Sequence, residues 1–341
     1  MIWSDFYKAA AAGNYQSIYL FCGPEELNKR EALATLRRNI LPPGLEELND
    51  VTLDGVAAQL IIDCAETLPV MCDKRIVVVR DWAPLLSGKS KNEEAEVERF
   101  VNWMQDMPDS CIVVFYMTQE IDARKKLAAL LKKQEGYVEF SYLSGSVLLK
   151  WCNQRLKPLG KKITSEALEE LTLRAGQDLT RISGELDKLH AYIGERSEIS
   201  AQDVQALVAP SPEYSVFIIL NHLLDGKLAE AVEVTNSVLQ GATNAVRIIA
   251  MFESQLRINA HMKYALENNA NMAETQKLLG VTEFRAKHIL RQIRPFSAER
   301  LKDGYLACVQ ADQDIKSGKL QDRAALDLLM LKLSMVSGAT R

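Results

Sequence analysis

Five short apolar runs alternating with helix-patterned stretches dominate the first part of the chain, and they restrict its fold more than any other feature. The runs are Ile18–Cys22, Val51–Leu53, Ile76–Val79, Cys111–Tyr116 and a segment near Val138–Phe140. Short runs of this kind, rich in β-branched residues and bounded by Gly, Pro and polar residues, read as buried strands. Between them lie helical patterns at Pro24–Asn39, Val56–Glu66, Glu96–Gln105 and Ala123–Lys133, and the start of the chain also reads as helical up to Gly13. Such alternation predicts a parallel sheet covered by helices on both faces.

Past Ser144 only helical periodicity is found. Helices are expected over Val147–Leu156, over Glu166–Arg174 with Ser165 as N-cap and Gly176 as terminator, over Leu179–Ile193, and over Ala201–Val208 capped by Ser200. Pro210-Ser211-Pro212 then reads as a stiff linker. Beyond it the pattern gives helices at Val216–Leu224, Leu228–Gln240, Asn244–Leu266, Met272–Leu279, Glu283–Ile293, Ala298–Lys316 and Arg323–Met335. The expected organisation is an α/β domain over 1–144 and two all-α domains over 145–210 and 211–341.

The first strand leads into Gly23-Pro24 and a polar helix start, which is the place and shape of a phosphate-binding loop. A working loop needs Gly, four residues, then Gly-Lys-Ser/Thr. Gly23 and Lys29 stand in register, but Asn28 replaces the second Gly and Arg30 replaces the magnesium-binding hydroxyl. Glu25 and Glu26 lie where backbone N–H groups should cradle phosphates, and two carboxylates there repel a triphosphate. Asp81, at the end of the third strand, stands where a magnesium-binding acid is found in NTPases, but its neighbour is Trp82 rather than a catalytic acid. The stretch reads as a nucleotide-binding frame without a working site, or as an ordinary strand-turn-helix with Asp81 a loop acid.

No other constellation supplies chemistry. His190, His222, His261 and His288 are scattered over helices, away from metal spacing or an obvious nucleophile, and no G-x-S-x-G or H-E-x-x-H occurs. The six cysteines form no C-x-x-C pair, so neither a zinc site nor a disulfide framework is expected. No catalytic residue, metal or cofactor is expected. A net charge of −4 argues against a generally polyanion-seeking molecule. Short basic sets do occur, at Arg37-Arg38, Arg124-Lys125-Lys126, Lys132-Lys133, and Lys157 with Lys161-Lys162. They read as solvated helix faces or as local phosphate contacts. No bilayer-spanning run and no signal-peptide pattern is seen, so a cytoplasmic location is expected.

Leu68-Pro69-Val70-Met71 joins a helix to a strand, where solvent exposure is expected. An apolar pair there can plug a hydrophobic pocket on another protein, or tuck under the sheet.

Taken together, these residues resemble the delta subunit family of bacterial DNA polymerase III, a clamp-loader component. The resemblance rests on the early I-Y-L-F-x-G-x-E turn and on T-L-P-Val70-Met71 followed by K-R-I-V-V-V. It also rests on Gly176-Gln177-Asp178-Leu179 leading to Gly184-Glu185-Leu186-Asp187-Lys188-Leu189. Near the C-terminus come Arg294-Pro295-Phe296-Ser297 and Asp312-Gln313-Asp314-Ile315-Lys316-Ser317-Gly318.

The resemblance implies an AAA+-like domain that has lost ATP binding, a small helical lid and a helical collar. It implies a non-catalytic subunit that acts within the DNA polymerase III holoenzyme. Such a subunit binds the sliding clamp and holds one ring interface open for loading on primer-template DNA. Its further partners would be the delta-prime and gamma/tau subunits, joined through the collar. The clamp-binding pair falls on Val70 and Met71, with Leu68 beside them; many relatives carry Leu-Phe there. Two other readings remain. An active ATPase of the same fold would use Lys29 on phosphates and Asp81 on magnesium, and a DNA-binding protein would act through its basic helices.

Overall fold

A computed structural model describes residues 3–88, 93–241, 243–281 and 283–335. By its internal contacts the chain divides into two compact units. The first comprises residues 1–143 with Asp178–Thr180, and the second comprises residues 144–177 and 181–341.

The first unit is built on five parallel strands: β1 (Ile18–Cys22), β2 (Asp50–Asp54), β3 (Arg75–Arg80), β4 (Cys111–Tyr116) and β5 (Tyr137–Glu139). Their order across the sheet is β2-β3-β4-β1-β5. The helices are α1 (Trp3–Ala11), α2 (Glu26–Ile40), α3 (Glu46–Asn49), α4 (Ala58–Glu66), α5 (Glu93–Trp103) and α6 (Lys126–Leu131). The period of two along each strand assigns them to faces. Tyr19, Phe21, Ile76, Val78, Ile112 and Val114 meet Ala32, Leu33 and Leu36 of α2 and Phe6 of α1. Leu20, Val77, Val79, Val113 and Phe115 meet Ile61 of α4, Phe100 of α5 and Leu127 of α6 on the other face. This split is what right-handed crossovers require, because β1 to β2 runs one way across the sheet and the later connections return.

Both ends of α6 fall inside the helix expected at Ala123–Lys133. Asp122 accepts hydrogen bonds from the Arg124 backbone and guanidinium, and this local turn competes with helix up to Lys125. The guanidinium beside Asp122 also holds that carboxyl down at about 2.

The second unit contains α7 (Gly145–Leu156), α8 (Ser165–Ala175), α9 (Leu179–Ile193, whose first two residues group with the first unit), α10 (Ala201–Leu207), α11 (Pro212–Leu224), α12 (Leu228–Leu239), α13 (Ala245–Glu267), α14 (Met272–Leu278), α15 (Glu283–Ile293), α16 (Ala298–Lys316) and α17 (Asp322–Met335). Two strand fragments, β6 (Lys162–Ile163) and β7 (Glu198–Ile199), pair in parallel, although only helices were expected here. Two residues are too few to show a period. The N-cap of α8 is Thr164, whose hydroxyl accepts from Ala167 N, and not Ser165, which is already the first helical residue. Ser200 caps α10 as expected, in a reciprocal capping box with Asp203.

The proline-bounded segment is tied down. Ser211 N donates to Arg174 O at 2.8 Å, and Arg174 donates to Val208 O at 3.0 Å. Ser211 caps α11, and Pro212 takes the first helical position, where no N–H is needed. The helix therefore starts ahead of the expected Val216. The largest core of this unit gathers Ile219 and Leu223 of α11, Ile248, Phe252 and Leu256 of α13, Ile289 of α15, Cys308 of α16 and Leu326 and Leu329 of α17.

All six cysteines are free, and no group of metal-ligating side chains is found among the described residues. No described helix is long and apolar enough to cross a membrane.

Candidate clamp-binding tip and closed nucleotide frame

The connection between α4 and β3 carries the exposed apolar residues. Leu68 is 76% exposed, Val70 42% and Met71 83%. The backbone beneath them is firmly held. Asn49, fully buried at the end of α3, donates from Nδ2 to Val70 O at 3.0 Å and accepts from Val70 N at 2.7 Å. The same Nδ2 donates to Leu45 O. Arg75 donates to Thr67 O at 3.0 Å, and the Thr67 hydroxyl donates to Asp63 O at 2.8 Å, closing α4. A rigid loop thus presents flexible apolar side chains outward.

Met71 has φ +56°, a left-handed conformation that costs a side-chain-bearing residue on the order of 1–2 kcal/mol. Strain of this kind survives only where the surroundings impose it, and it concentrates at binding sites. Asn49 was not singled out in the sequence. Its only signal there was an amide residue just before a strand.

At the opposite end of the sheet, the C-terminal end of β1 enters the degenerate loop. Gly23 has φ +107°, and a Cβ there would lie 2.5 Å from Phe140 O, so only glycine fits. Glu25 is fully buried and caps α2, accepting from Leu27 N at 3.1 Å and from Leu179 N at 3.2 Å. Burial pushes its carboxyl up to about 7, against the opposing pull of these amides, and nearby Asp178 pushes the same way.

Lys29 is equally enclosed. Its Nζ donates to Met117 O at 2.6 Å, pairs with Glu26 Oε2 at 3.0 Å and lies 5.4 Å from the centre of the Tyr116 ring. Glu26 also accepts the Tyr116 hydroxyl. Asn28 is buried with its Nδ2 unpartnered, and Arg30 points to solvent. Asp81 accepts from Thr118 N at 2.7 Å, from the Thr118 hydroxyl and from Gln119 N at 3.1 Å. It fastens the loop after β4 to the end of β3. Trp82 is buried, stacks on Phe115 at 5.3 Å and donates to Val56 O. The structure therefore brings Gly23, Glu25, Glu26, Asn28 and Lys29 together at one loop and helix start, where Lys29 pairs with Glu26 and Glu25 accepts from backbone amides. Asp81 is engaged with the loop after β4.

The basic sets are partly consumed by internal contacts. Arg37 pairs with Asp50, Arg124 with Asp122, Lys125 with Glu93 and Lys162 with Glu198. Lys161 donates to the carbonyls of Gly194 and Arg196.

Comparison with known proteins gives the family. Residues 19–141 match the family model described as DNA polymerase III, delta subunit, and residues 213–333 match the model for the C-terminal domain of that subunit. The DNA polymerase III subunit delta of Bacillus subtilis is 29% identical over 335 residues, covering 96% of each chain. The solved structure of the Bacillus subtilis DNA clamp loader delta protein superposes with a TM-score of 0.64 at 27% identity, covering 98% of this chain and 99% of that one. With both family models matched in order and a delta subunit aligned along nearly its whole length, this chain belongs to the DNA polymerase III delta subunit family.

Proposed function

We propose that the chain is the clamp-binding subunit of a DNA polymerase III clamp loader. It grips a ring-shaped sliding clamp through Leu68, Val70 and Met71 and favours an opened ring interface, so that the clamp can be placed on primer-template DNA. The observation that carries this reading is the fixed, strained α4–β3 loop, which leaves Met71 83% exposed. A mobile apolar loop would lose ordering entropy on binding, whereas one already held by Asn49 loses little. Ring opening then follows from differential affinity: the contact shifts the ring toward the open form only by as much as it is stronger there.

The same reading gives the other parts their roles. Residues 1–144 are an AAA+-like domain, in keeping with the all-parallel order β5-β1-β4-β3-β2. Residues 145–210 act as a helical lid, and residues 211–341 as a collar that joins delta-prime and gamma/tau subunits. The subunit works in the cytoplasm as a non-catalytic part of the polymerase holoenzyme and uses no cofactor of its own. The engagement of Lys29 with Glu26 and Met117 O, and of Asp81 with the loop after β4, speaks against an active ATPase.

The test is capture of a sliding clamp by the purified chain without nucleotide, comparing wild type with Val70→Ala/Met71→Ala. Apolar anchors of this type contribute about 2 kcal/mol or more each, so the double variant should lose at least tenfold in affinity. Assembly with the other loader subunits should be unchanged. Wild-type affinity in a folded double variant would refute the proposed site.

A further inference from the structure

Three side chains are a small footprint for a specific grip. Aliphatic residues of the size of Leu68, Val70 and Met71 supply on the order of 300 Å² between them. A specific protein–protein contact takes about 800 Å² from each partner. Surface beside the tip therefore has to share the contact. Large apolar side chains are exposed at only six described positions of the first unit: Leu48, Leu60, Leu68, Val70, Met71 and Tyr142. A single exposed leucine is ordinary, whereas neighbouring ones mark an interface. Leu48, 55% exposed, belongs to α3 and precedes the fully buried Asn49. The Asn49 amide holds both the N–H and the carbonyl of Val70. Leu48 thus lies one residue, about 3.8 Å of backbone, from the side chain that fixes the tip. A helical turn of four residues does not persist by itself. This one is held on both sides: Gly44 N donates to Glu46 Oε2 at 2.7 Å, Asp50 N donates to Glu46 O, and Asp50 pairs with Arg37 of α2. Leu48 is carried on fixed backbone, as Met71 is.

We propose that α3 is part of the clamp-binding surface and that Leu48 is its fourth apolar anchor. The partner is the sliding clamp, and the part of it that meets α3 is an apolar ledge beside the pocket that takes the tip. The Asn49 link makes α3 and the α4–β3 loop one rigid footprint, so neither has to be ordered on binding. This deepens the reading of the tip as the clamp-binding site and rests on it.

The experiment measures binding of the purified sliding clamp to the full chain, without nucleotide, for wild type, Leu48→Ala, Leu48→Met and Val70→Ala/Met71→Ala. Leu48→Ala keeps a good helix former at an exposed position, so the fold is preserved. It should weaken clamp binding about fivefold or more, chiefly through faster dissociation. Leu48→Met, which keeps an apolar side chain of similar volume, should bind as wild type does. Melting temperature and amide exchange at Val70 should be unchanged in both, unlike the outcome of losing Asn49. Wild-type affinity in Leu48→Ala, with Val70→Ala/Met71→Ala weakened, overturns the proposal and leaves the tip reading standing. Weakened binding accompanied by faster exchange at Val70 gives Leu48 a structural role and overturns the proposal as well. Wild-type affinity in Val70→Ala/Met71→Ala overturns the tip reading, and the proposal with it, whatever Leu48→Ala shows.

Discussion

Glu25 gives the chain a pH signature that can be read at a single residue. Its folded pKa of about 7 lies above the ordinary 4.5, so the folded state binds the extra proton between these values. The associated stability is fully present below about pH 4.5 and is lost as pH rises through about 7, amounting to on the order of 1–3 kcal/mol. Glu25→Gln should flatten the fall in unfolding free energy between pH 5 and 8, as read by denaturant titration. A wild-type curve already flat across that window would contradict the assignment. Asp203 acts in the opposite sense in a separate range. The guanidinium of Arg196 holds it at about 2, so its contribution is present above its ordinary 3.8 and fades only as pH falls through about 2. Met71 offers a second test at this scale. Met71→Gly removes the left-handed strain but loosens the unfolded chain, and the two effects nearly cancel, leaving stability within about 1 kcal/mol of wild type. Clamp capture should nevertheless fall, because the most exposed apolar side chain of the loop is gone. A Met71→Gly protein that captures the clamp normally would leave Met71 without a role in contact.

Among the elements, the α4–β3 loop depends on α3, a single turn that the sequence did not disclose. Asn49→Ala deletes both hydrogen bonds to the Val70 backbone and leaves buried polar groups unpaired, a loss of about 1–3 kcal/mol. Clamp affinity should drop although Leu68, Val70 and Met71 are intact, and amide exchange at Val70 should accelerate. The loop would then have to be ordered at the moment of binding. What was legible in the sequence follows from periodicity. Buried strands with β-branched runs and long amphipathic helices show their period plainly, and the five strands and most helices lie where the pattern put them. Elements of two to four residues, such as α3, β6 and β7, are too short to show one. Their existence is decided by partners far along the chain, as Asn49 is by Val70. The N-cap of α8 went to Thr164 rather than Ser165 for a related reason. Adjacent hydroxyl residues are equally able to cap, and the extended backbone at Thr164 selects between them.

For the whole molecule, the sequence showed that the loop after β1 departs from a working phosphate loop, but not what fills the gap. That Lys29 would turn to Glu26 and Met117 O, and that Glu25 would accept from Leu179, depends on residues up to 154 positions away. One expectation follows for the intact chain. A ligand that binds the native state raises the melting temperature, by about 2.7 kcal/mol of added stability at a hundredfold excess over its dissociation constant. Millimolar Mg-ATP should leave this protein's melting temperature unmoved, and a clear rise would reinstate the ATPase reading.

The parallel sheet also has a mechanical consequence. β3 starts just after the tip and ends at Arg80, with β2 and β4 paired along its two sides. A tug on Met71 therefore stretches a strand about 20 Å long, end to end. Such a load acts across the rungs of both ladders, which must fail together in shear and not peel one after another. If the tip grips the clamp as proposed, that grip would be anchored in the direction of the sheet's greatest resistance.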